Sequence, residues 1–152
     1  MLTFSIKLFN RGVYMNFTIQ EKLLSVIPHI IAMLPIPLIN IVLVYIYRII
    51  VGTDSTLIEN HTRNNINFQL SYHLYLIILF AIIAIVANFP FNLLGLFDST
   101  PIVGLLGIGV GLIAFGFLLI QWFLYIALLI FAMIKALLGE YIKFPLTIRF
   151  LK

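Results

Sequence analysis

The chain contains no cysteine and very little charge: of its 152 residues, 9 are Lys or Arg and 5 are Asp or Glu. Without cysteine there are no disulfides, no thiol nucleophiles, and no thiolate ligands for zinc or iron–sulfur clusters. Charged residues make up 9% of the chain, whereas an average soluble domain has about 25%. So few charges do not cover the surface of a soluble protein of this size, and the sequence excludes a water-soluble fold.

The chain is instead rich in apolar residues, which make up 63% of it, and its mean hydropathy is +1.19. Three tracts hold no Asp, Glu, Lys or Arg: 25 residues between Lys22 and Arg48, 34 between Arg63 and Asp98, and 36 between Asp98 and Lys135. Each tract is longer than the roughly 20 apolar residues that cross a bilayer. The sequence therefore predicts an all-α, polytopic transmembrane bundle with about three spans.

The chain divides into three parts along its length. A transmembrane domain is expected over 23–138. Its spans are expected at about residues 23–50, 70–87 and 104–134. Before it, residues 1–22 form an N-terminal segment suited to the membrane interface, although a start at Met15 would leave part of it upstream of the protein. After it, residues 139–152 form a basic juxtamembrane tail.

The basic residues also predict an orientation. With three spans, the first loop and the C-terminal tail share one side and hold six Lys or Arg, whereas the other side holds three. Because Lys and Arg accumulate in cytoplasmic loops, this bias predicts a multi-pass protein of the cytoplasmic membrane with its C-terminus in the cytoplasm. The basic residues are scattered rather than grouped in a run, which argues against nucleic-acid binding and for contact with the lipid bilayer.

Prolines interrupt the first apolar tract. Pro35 and Pro37 each remove a backbone donor and crowd the preceding turn, so we expect a kink or a break there. In lipid such a break persists only where neighbouring helices or water satisfy the freed carbonyls. A kinked packing helix is the simpler interpretation, and a hinge or a substrate-lining break is the alternative.

The third tract is rich in glycine and is predicted to be one long, tilted helix. Gly107 and Gly111 form a GxxxG pair in an apolar stretch. Small residues at this spacing let two helices approach closely, so we expect helix packing within the chain or between copies, with a hinge as the alternative. No Lys-Ser or Lys-Thr follows, so this stretch is not a phosphate-binding loop.

Polar residues recur every four positions before and inside the second tract. His61, Asn65, Gln69 and His73 would form one stripe on a helix. The stripe is either a surface for a partner or substrate, or the polar entry of a span that packs on neighbouring loops. The two histidines are twelve residues apart, about 18 Å along a helix, so they do not share one metal ion. His29, in the first tract, is interpreted as a neutral interfacial residue.

The residues give little support to catalysis. The acidic residues lie in different loops, and no serine has an evident base beside it. The apolar tracts carry no acidic residue that could relay protons or couple a cation, which argues against ion-coupled transport. The sequence therefore predicts a protein that is not an enzyme, with no catalytic residues, no cofactor and no metal.

Two segments resemble a known family. The segment 59–69, ENHTRNNINFQ, and the segment 135–150, KALLGEYIKFPLTIRF, are similar to motifs of small bacterial membrane proteins of unknown function. That family is related to the translocon component of the chloroplast inner envelope (Tic-twenty-like). His29 also stands where the family tends to place a histidine. The tail motif comprises Lys135, Gly139, Glu140, Pro145 and Arg149.

The resemblance implies a helical multi-pass protein that is not an enzyme and acts in a complex. The plant relative resembles a four-span component of protein translocation, whereas three spans are counted here. We therefore expect an accessory or scaffold subunit of a membrane complex, with a membrane-protein partner or further copies of itself. The alternatives are an oligomeric translocation or permeation component and, third, protection against a membrane-active peptide.

Overall fold

The computed structural model describes residues 17–36, 38–52, 55–94 and 101–151, with the side chains of 86–94 and 101–107 left out. All regular structure in these ranges is helical, as expected from the sequence. The helices are α1 (Ile19–Ala32), α2 (Ile39–Val51), α3 (Thr56–Leu94) and α4 (Pro101–Leu138). The expectations for the segment before Phe17, for the start at Met15 and for Pro37 lie outside the described residues.

The first helix begins with a capping box. Thr18 Oγ1 accepts a hydrogen bond from the Glu21 N–H at 3.2 Å, and the Glu21 carboxylate accepts one from the Thr18 N–H at 2.7 Å. This pair of bonds satisfies two donors that a helix start otherwise leaves free. The helix therefore begins four residues before the expected start of the first span, and it ends at Ala32.

The expected interruption is present between Ala32 and Ile39, and it divides the first apolar tract into a hairpin of two helices rather than one kinked helix. The Tyr47 hydroxyl donates to the Leu24 carbonyl at 2.9 Å, and the Asn40 amide donates to the Ala32 carbonyl at 3.3 Å. Because 24 meets 47 while 32 meets 40, α1 and α2 run antiparallel. Pro35 lies exposed in the turn between them, where it costs no helical hydrogen bond.

Two helices are long and apolar enough to cross a membrane, and three spans are not confirmed. They cover Thr56–Ile85, with 30 residues, and Ile108–Leu138, with 31 residues. The arms of the α1–α2 hairpin have 14 and 13 residues, or about 20 Å each, which is less than the hydrocarbon core of about 30 Å. The second predicted span, 70–87, is the middle of a longer helix that continues through Pro90 to Leu94. The third tract forms one continuous helix, as expected.

Both described ends of the chain lie at the same end of the bundle. The rings of Phe17 and Tyr141 are 6.1 Å apart, and a Cβ on Gly139 would come within 2.9 Å of the Lys22 side chain. Gly139 has a φ of 77°, the left-handed conformation that ends a helix and favours glycine. The three-span prediction places the two ends of the chain on opposite sides of the membrane. The contact between Phe17 and Tyr141 instead brings the two described ends to the same side. We call this region, which comprises residues 17–22, 48–52, 55–63 and 135–151, the charged end.

An aromatic stack joins three elements beside the charged end. The ring of Phe68 on α3 lies 4.3 Å from that of Phe144 in the tail and 5.2 Å from that of Tyr125 on α4. Ala32 and Leu129 are buried against the same cluster. The tail is thus part of the core, although its sequence suggested a peripheral segment.

Candidate functional site

Two histidines from different helices meet inside the bundle near the charged end. His29 on α1 and His61 on α3 are both 0% exposed, and His29 Nε2 lies 2.9 Å from His61 Nδ1. Asn65 and Gln69 are also 0% exposed and continue the group along α3. We call these four residues the histidine cluster. Buried polar groups are tolerated when they are hydrogen-bonded, so their partners decide what this cluster does.

The hydrogen bonds of the histidine cluster run in one direction. His61 Nε2 lies 2.9 Å from the carbonyl oxygen of Glu140, and because a carbonyl only accepts, Nε2 carries the proton. His61 Nδ1 then accepts from His29 Nε2–H, and His29 Nδ1 accepts from the Asn65 amide at 2.9 Å. The Gln69 amide donates to Asn65 Oδ1 at 2.5 Å. A continuous series of hydrogen bonds therefore leads from Gln69 and Asn65 on α3 to His29 on α1. It then returns to His61 on α3 and reaches Glu140, just after the end of α4.

This arrangement requires both histidines to be neutral. Each ring uses one nitrogen as a donor and the other as an acceptor, which only the neutral form allows. Burial, with a smaller contribution from the neighbouring His61, lowers the pKa of His29 to about 3. A group that stays neutral and fully bonded at physiological pH is a structural connector rather than a general base near neutrality.

A second set of polar side chains on α3 holds the backbone of the tail. Asn60 Oδ1 accepts from the Ile142 N–H at 2.9 Å, and the Asn64 amide donates to the Ile142 carbonyl at 2.9 Å. The Asn67 amide bonds the N–H and the carbonyl of Leu151 at 2.8 and 3.0 Å. We call Asn60, Asn64 and Asn67 the asparagine clamp. The tail has no regular structure of its own. The asparagine side chains therefore pair its backbone N–H and C=O groups, as a neighbouring β-strand would do in a sheet.

The clamp is extended along α3 by two hydroxyl groups. Ser71 Oγ accepts from the Ile148 N–H at 2.9 Å, and the Tyr75 hydroxyl donates to the Leu146 carbonyl at 2.8 Å. The tail therefore runs along α3 past residue 71 and returns toward Asn67. Leu146, at the tip of this loop, has a φ of 52° and is exposed.

Two ion pairs close the charged end. The Arg48 guanidinium binds both carboxylate oxygens of Glu59, at 2.9 and 2.5 Å, and so ties the end of α2 to the start of α3. Lys135 Nζ lies 3.1 Å from the Glu140 carboxylate and joins the end of α4 to the tail. Both pairs are partly exposed, so each adds a modest stabilisation.

The predicted stripe is divided by the structure. His61, Asn65 and Gln69 lie together and have no surface to offer a partner, because all three are buried within the chain. His73 is half-buried and separate from them, and its Nδ1–H donates to the Gln69 carbonyl at 2.7 Å. Within the described residues no group of three or more His, Cys, Asp or Glu could hold a metal ion.

The glycine pair and the tail motif have different surroundings. A Cβ on Gly111 would meet nothing within 4 Å among the described residues, and the surroundings of Gly107 are outside them. In the tail motif, Lys135 and Glu140 pair with each other, and Gly139 ends α4. Pro145 and Arg149 are both exposed.

The asparagine clamp and the role of His29 were not predicted from the sequence. The signal for the clamp was the spacing of Asn60, Asn64, Asn67 and Ser71, which places four polar side chains on a second face of the same helix. His29 was interpreted as interfacial but is fully buried against His61. No local pattern indicates that partner, because the two residues are 32 positions apart.

Comparison with known proteins gives a family match. The model of the magnetosome magnetite crystal formation protein family (MamF/MmsF) matches residues 20–151, nearly the whole chain. No curated protein and no solved structure matches it. The resemblance to the Tic-twenty-like family is therefore wrong. The two segments that suggested it, 59–69 and 135–150, hold α3 to the tail through the asparagine clamp, a structural task that does not point to protein translocation.

Proposed function

The chain belongs to the magnetosome magnetite crystal formation protein family, and from this premise we propose that it is a non-enzymatic accessory or scaffold subunit of a membrane assembly. In this proposal it supports crystal formation by organising other membrane proteins, and it does not itself bind iron. Its location is the membrane in which the family acts.

The observation that carries this proposal is that the buried polar groups bind the protein's own segments. The histidine cluster joins α1, α3 and the start of the tail at Glu140, and the asparagine clamp joins α3 to the rest of the tail. Groups that are paired in this way make a rigid scaffold rather than a reactive centre. Binding of iron oxide would need several carboxylates together, and in the described part of the chain the acidic side chains of Glu59 and Glu140 are held in separate ion pairs.

The proposed topology has two spans and a short helical hairpin that enters the membrane without crossing it. The exposed face of α2 is apolar, as lipid contact requires, and includes Val42, Ile46 and Ile49. The six described Lys and Arg residues lie at or beside the charged end, and the sequence has only Asp98 as a charge between Arg63 and Lys135. Under the positive-inside rule the charged end faces the cytoplasm, so the tail remains on the cytoplasmic side.

Purification of the tagged full chain from its own membranes in mild detergent tests the scaffold role. We expect a membrane protein to co-purify in fixed stoichiometry. The double variant Asn64→Ala/Asn67→Ala, which releases the tail, is expected to lose that partner, whereas Thr147→Ala is expected to keep it because Thr147 bonds only to the nearby Pro145 carbonyl. A chain that purifies alone, without any partner, would contradict the proposal.

Crystal formation needs its own readout. In magnetite-forming cells that lack their own member of the family, expression of the full chain is expected to restore the number and size of crystals. The tail-release variant is expected to restore them incompletely, and Thr147→Ala is expected to restore them fully. Crystals that stay unchanged on expression of a membrane-inserted chain would show that this chain does not support crystal formation.

A second candidate is an oligomeric permeation component, and one observation favours it. Among the described residues a Cβ on Gly111 would meet nothing within 4 Å, so the face of α4 that carries Gly111 is open there. Such a face is suited to close contact with a second membrane helix. Cross-linking in native membranes is then expected to give oligomers that Gly111→Leu abolishes, and reconstituted vesicles are expected to leak small solutes. Tight vesicles would rule this candidate out.

A further inference from the structure

A basic cleft lies at the charged end between α3 and the tail. Its volume is about 510 Å³, within the range of sites that hold small molecules. It is lined by Arg63, Lys143, Arg149 and the three residues of the asparagine clamp. Three of its lining residues are cationic and none is acidic, so the cleft is selective for anions by charge alone.

The clamp brings the three cations together from distant parts of the sequence. Arg63 lies on α3 between Asn60 and Asn64. Lys143 follows Ile142, whose N–H and carbonyl are held by those two side chains. Arg149 stands between the anchored residues Ile148 and Leu151. Backbone hydrogen bonds therefore hold the chain next to Lys143, at Ile142, and on both sides of Arg149.

The acidic side chains that the structure describes are engaged elsewhere and do not neutralise the cleft. Glu59 binds Arg48, Glu140 binds Lys135, and Glu21 caps α1 by bonding to Thr18. Within the described residues, no ion pair involves Arg63, Lys143 or Arg149. Three cations around one cleft repel each other, and an anion with several oxygens would both remove that repulsion and accept their hydrogen bonds.

The location indicates which anion this is. Arg63 stands about one helical turn after Glu59, where the Arg48–Glu59 pair marks the polar end of α2 and α3. Next to that pair, Ile49 and Ile50 at the end of α2 are largely exposed and apolar, as expected for residues that face lipid. The cleft therefore lies at the level of lipid headgroups, and basic pockets at this level between membrane helices recognise anionic lipids.

We propose that the basic cleft binds the phosphate group of an anionic phospholipid, held by Arg63, Lys143 and Arg149. The two arginines supply planar, paired donors to the phosphate oxygens, and the lysine adds a point charge. A bound lipid would hold the tail against α3 from outside, as the asparagine clamp does from inside. This site is independent of whether the chain acts as a scaffold.

A titration of the purified full chain in nonionic detergent at low ionic strength tests the site. The probes are dioctanoyl phosphatidylglycerol, dioctanoyl phosphatidylcholine and inorganic phosphate, and the readout is the melting temperature as a function of probe concentration. We expect phosphatidylglycerol to raise it saturably and phosphatidylcholine to leave it unchanged. Added salt is expected to weaken the effect because it screens exposed charges.

Variants distinguish lipid binding in the cleft from nonspecific attraction of the lipid to the positive charge of the protein. Arg63→Gln/Arg149→Gln is expected to raise the half-saturating lipid concentration about a hundredfold, roughly tenfold for each charged hydrogen-bonding group removed. Arg63→Lys/Arg149→Lys is expected to recover much of that loss, and Lys22→Gln, outside the cleft, is expected to bind like the original chain. Lys143→Gln, which changes one exposed side chain, provides a further variant if the double glutamine variant does not fold.

Three outcomes would overturn the assignment. Equal half-saturation for the original chain and the cleft variants would show that the lipid binds elsewhere. Equal stabilisation by phosphatidylcholine would show that the phosphate group is not the recognised feature of an anionic lipid. Stabilisation by inorganic phosphate at the same concentrations, lost in the cleft variants, would make the cleft a site for a free oxyanion rather than for a lipid.

Discussion

The two halves of the α3–α4 pair use different forces. At the half near the charged end, polar residues of α3 are buried and bonded to α1 and to the tail. At the other half, the described residues of both helices are apolar and mostly exposed, among them Ile82, Ile85, Leu112 and Ile113. The first half is therefore determined by directional hydrogen bonds between specific residues. The second is determined by length and hydropathy, which many sequences satisfy in lipid.

The strongest test of this difference is removal of the hub of the histidine cluster. His61→Phe keeps the size of the side chain but leaves the His29 Nε2–H and the Glu140 carbonyl without their partner. The buried His29 N–H without a partner costs about 1–3 kcal/mol and the part-buried Glu140 carbonyl less, so we expect a loss of about 3 kcal/mol in the free energy of unfolding. Detergent melting curves measure it. His73→Phe is the control, with a small expected effect because His73 bonds only within its own helix; equal melting of the two variants would remove the distinction.

Apolar packing should show the same contrast between the halves. Leu129 is 0% exposed in the aromatic cluster, whereas Leu112, on the same helix, is 66% exposed. Leu129→Ala is expected to cost about 3 kcal/mol through the cavity that it leaves, while Leu112→Ala is expected to cost less than about 0.5 kcal/mol. Chemical denaturation in mixed micelles compares the two. A cost for Leu112→Ala as large as that for Leu129→Ala would mean that α4 is buried against a partner there.

Acid should destabilise the half that contains the histidine cluster. His29 is buried and neutral, and its pKa is lowered from 6.5 to about 3 by burial. Because the unfolded chain takes up this proton more readily, the stabilisation is fully present above about pH 6.5 and is lost as the pH falls from there toward 3. At pH 5 the loss from this group is about 2 kcal/mol. The fall in melting temperature between pH 7 and pH 5 should be smaller in His29→Gln than in the original chain. An equal fall in both would show that other groups cause the acid sensitivity.

The smallest effect is expected where the clamp holds the tail. Asn67→Ala removes two hydrogen bonds to the half-buried backbone of Leu151, with an expected cost of about 1–2 kcal/mol. The change should be local, so limited proteolysis is expected to cut the tail sooner while the melting temperature falls only slightly. Thr147→Ala should digest like the original chain. A tail that resists protease in both variants would show that the clamp is not what holds it.

Several features could be predicted from local sequence. The long uncharged tracts indicated helices in a membrane, and the continuous third tract became one helix of 38 residues. The four-residue spacing of His61, Asn65 and Gln69 placed them correctly on one helix face. Helical periodicity is local, so these features need only neighbours in sequence.

The errors came from contacts between distant residues. A proline pair is compatible both with a kink and with a tight turn, and the choice was made by Tyr47 and Asn40 meeting the carbonyls of Leu24 and Ala32. The family prediction was wrong because similarity between short motifs does not reveal which residues those motifs contact in the folded chain. The tail was predicted to be a juxtamembrane segment outside the transmembrane domain, because its hydrogen-bond partners on α3 are 78 to 84 positions away in the sequence.

Composition by itself predicted helices suited to lipid, because a chain with 63% apolar and 9% charged residues can satisfy its backbone groups in a membrane by forming helices. Only the tertiary structure decided that the first tract folds back, that His29 meets His61, and that the tail is clamped beside three cations. The physical reason is that insertion into lipid depends on the mean hydropathy of many residues, which the sequence gives directly. A hydrogen-bonded cluster instead depends on the positions of a few atoms, and only folding brings those atoms together.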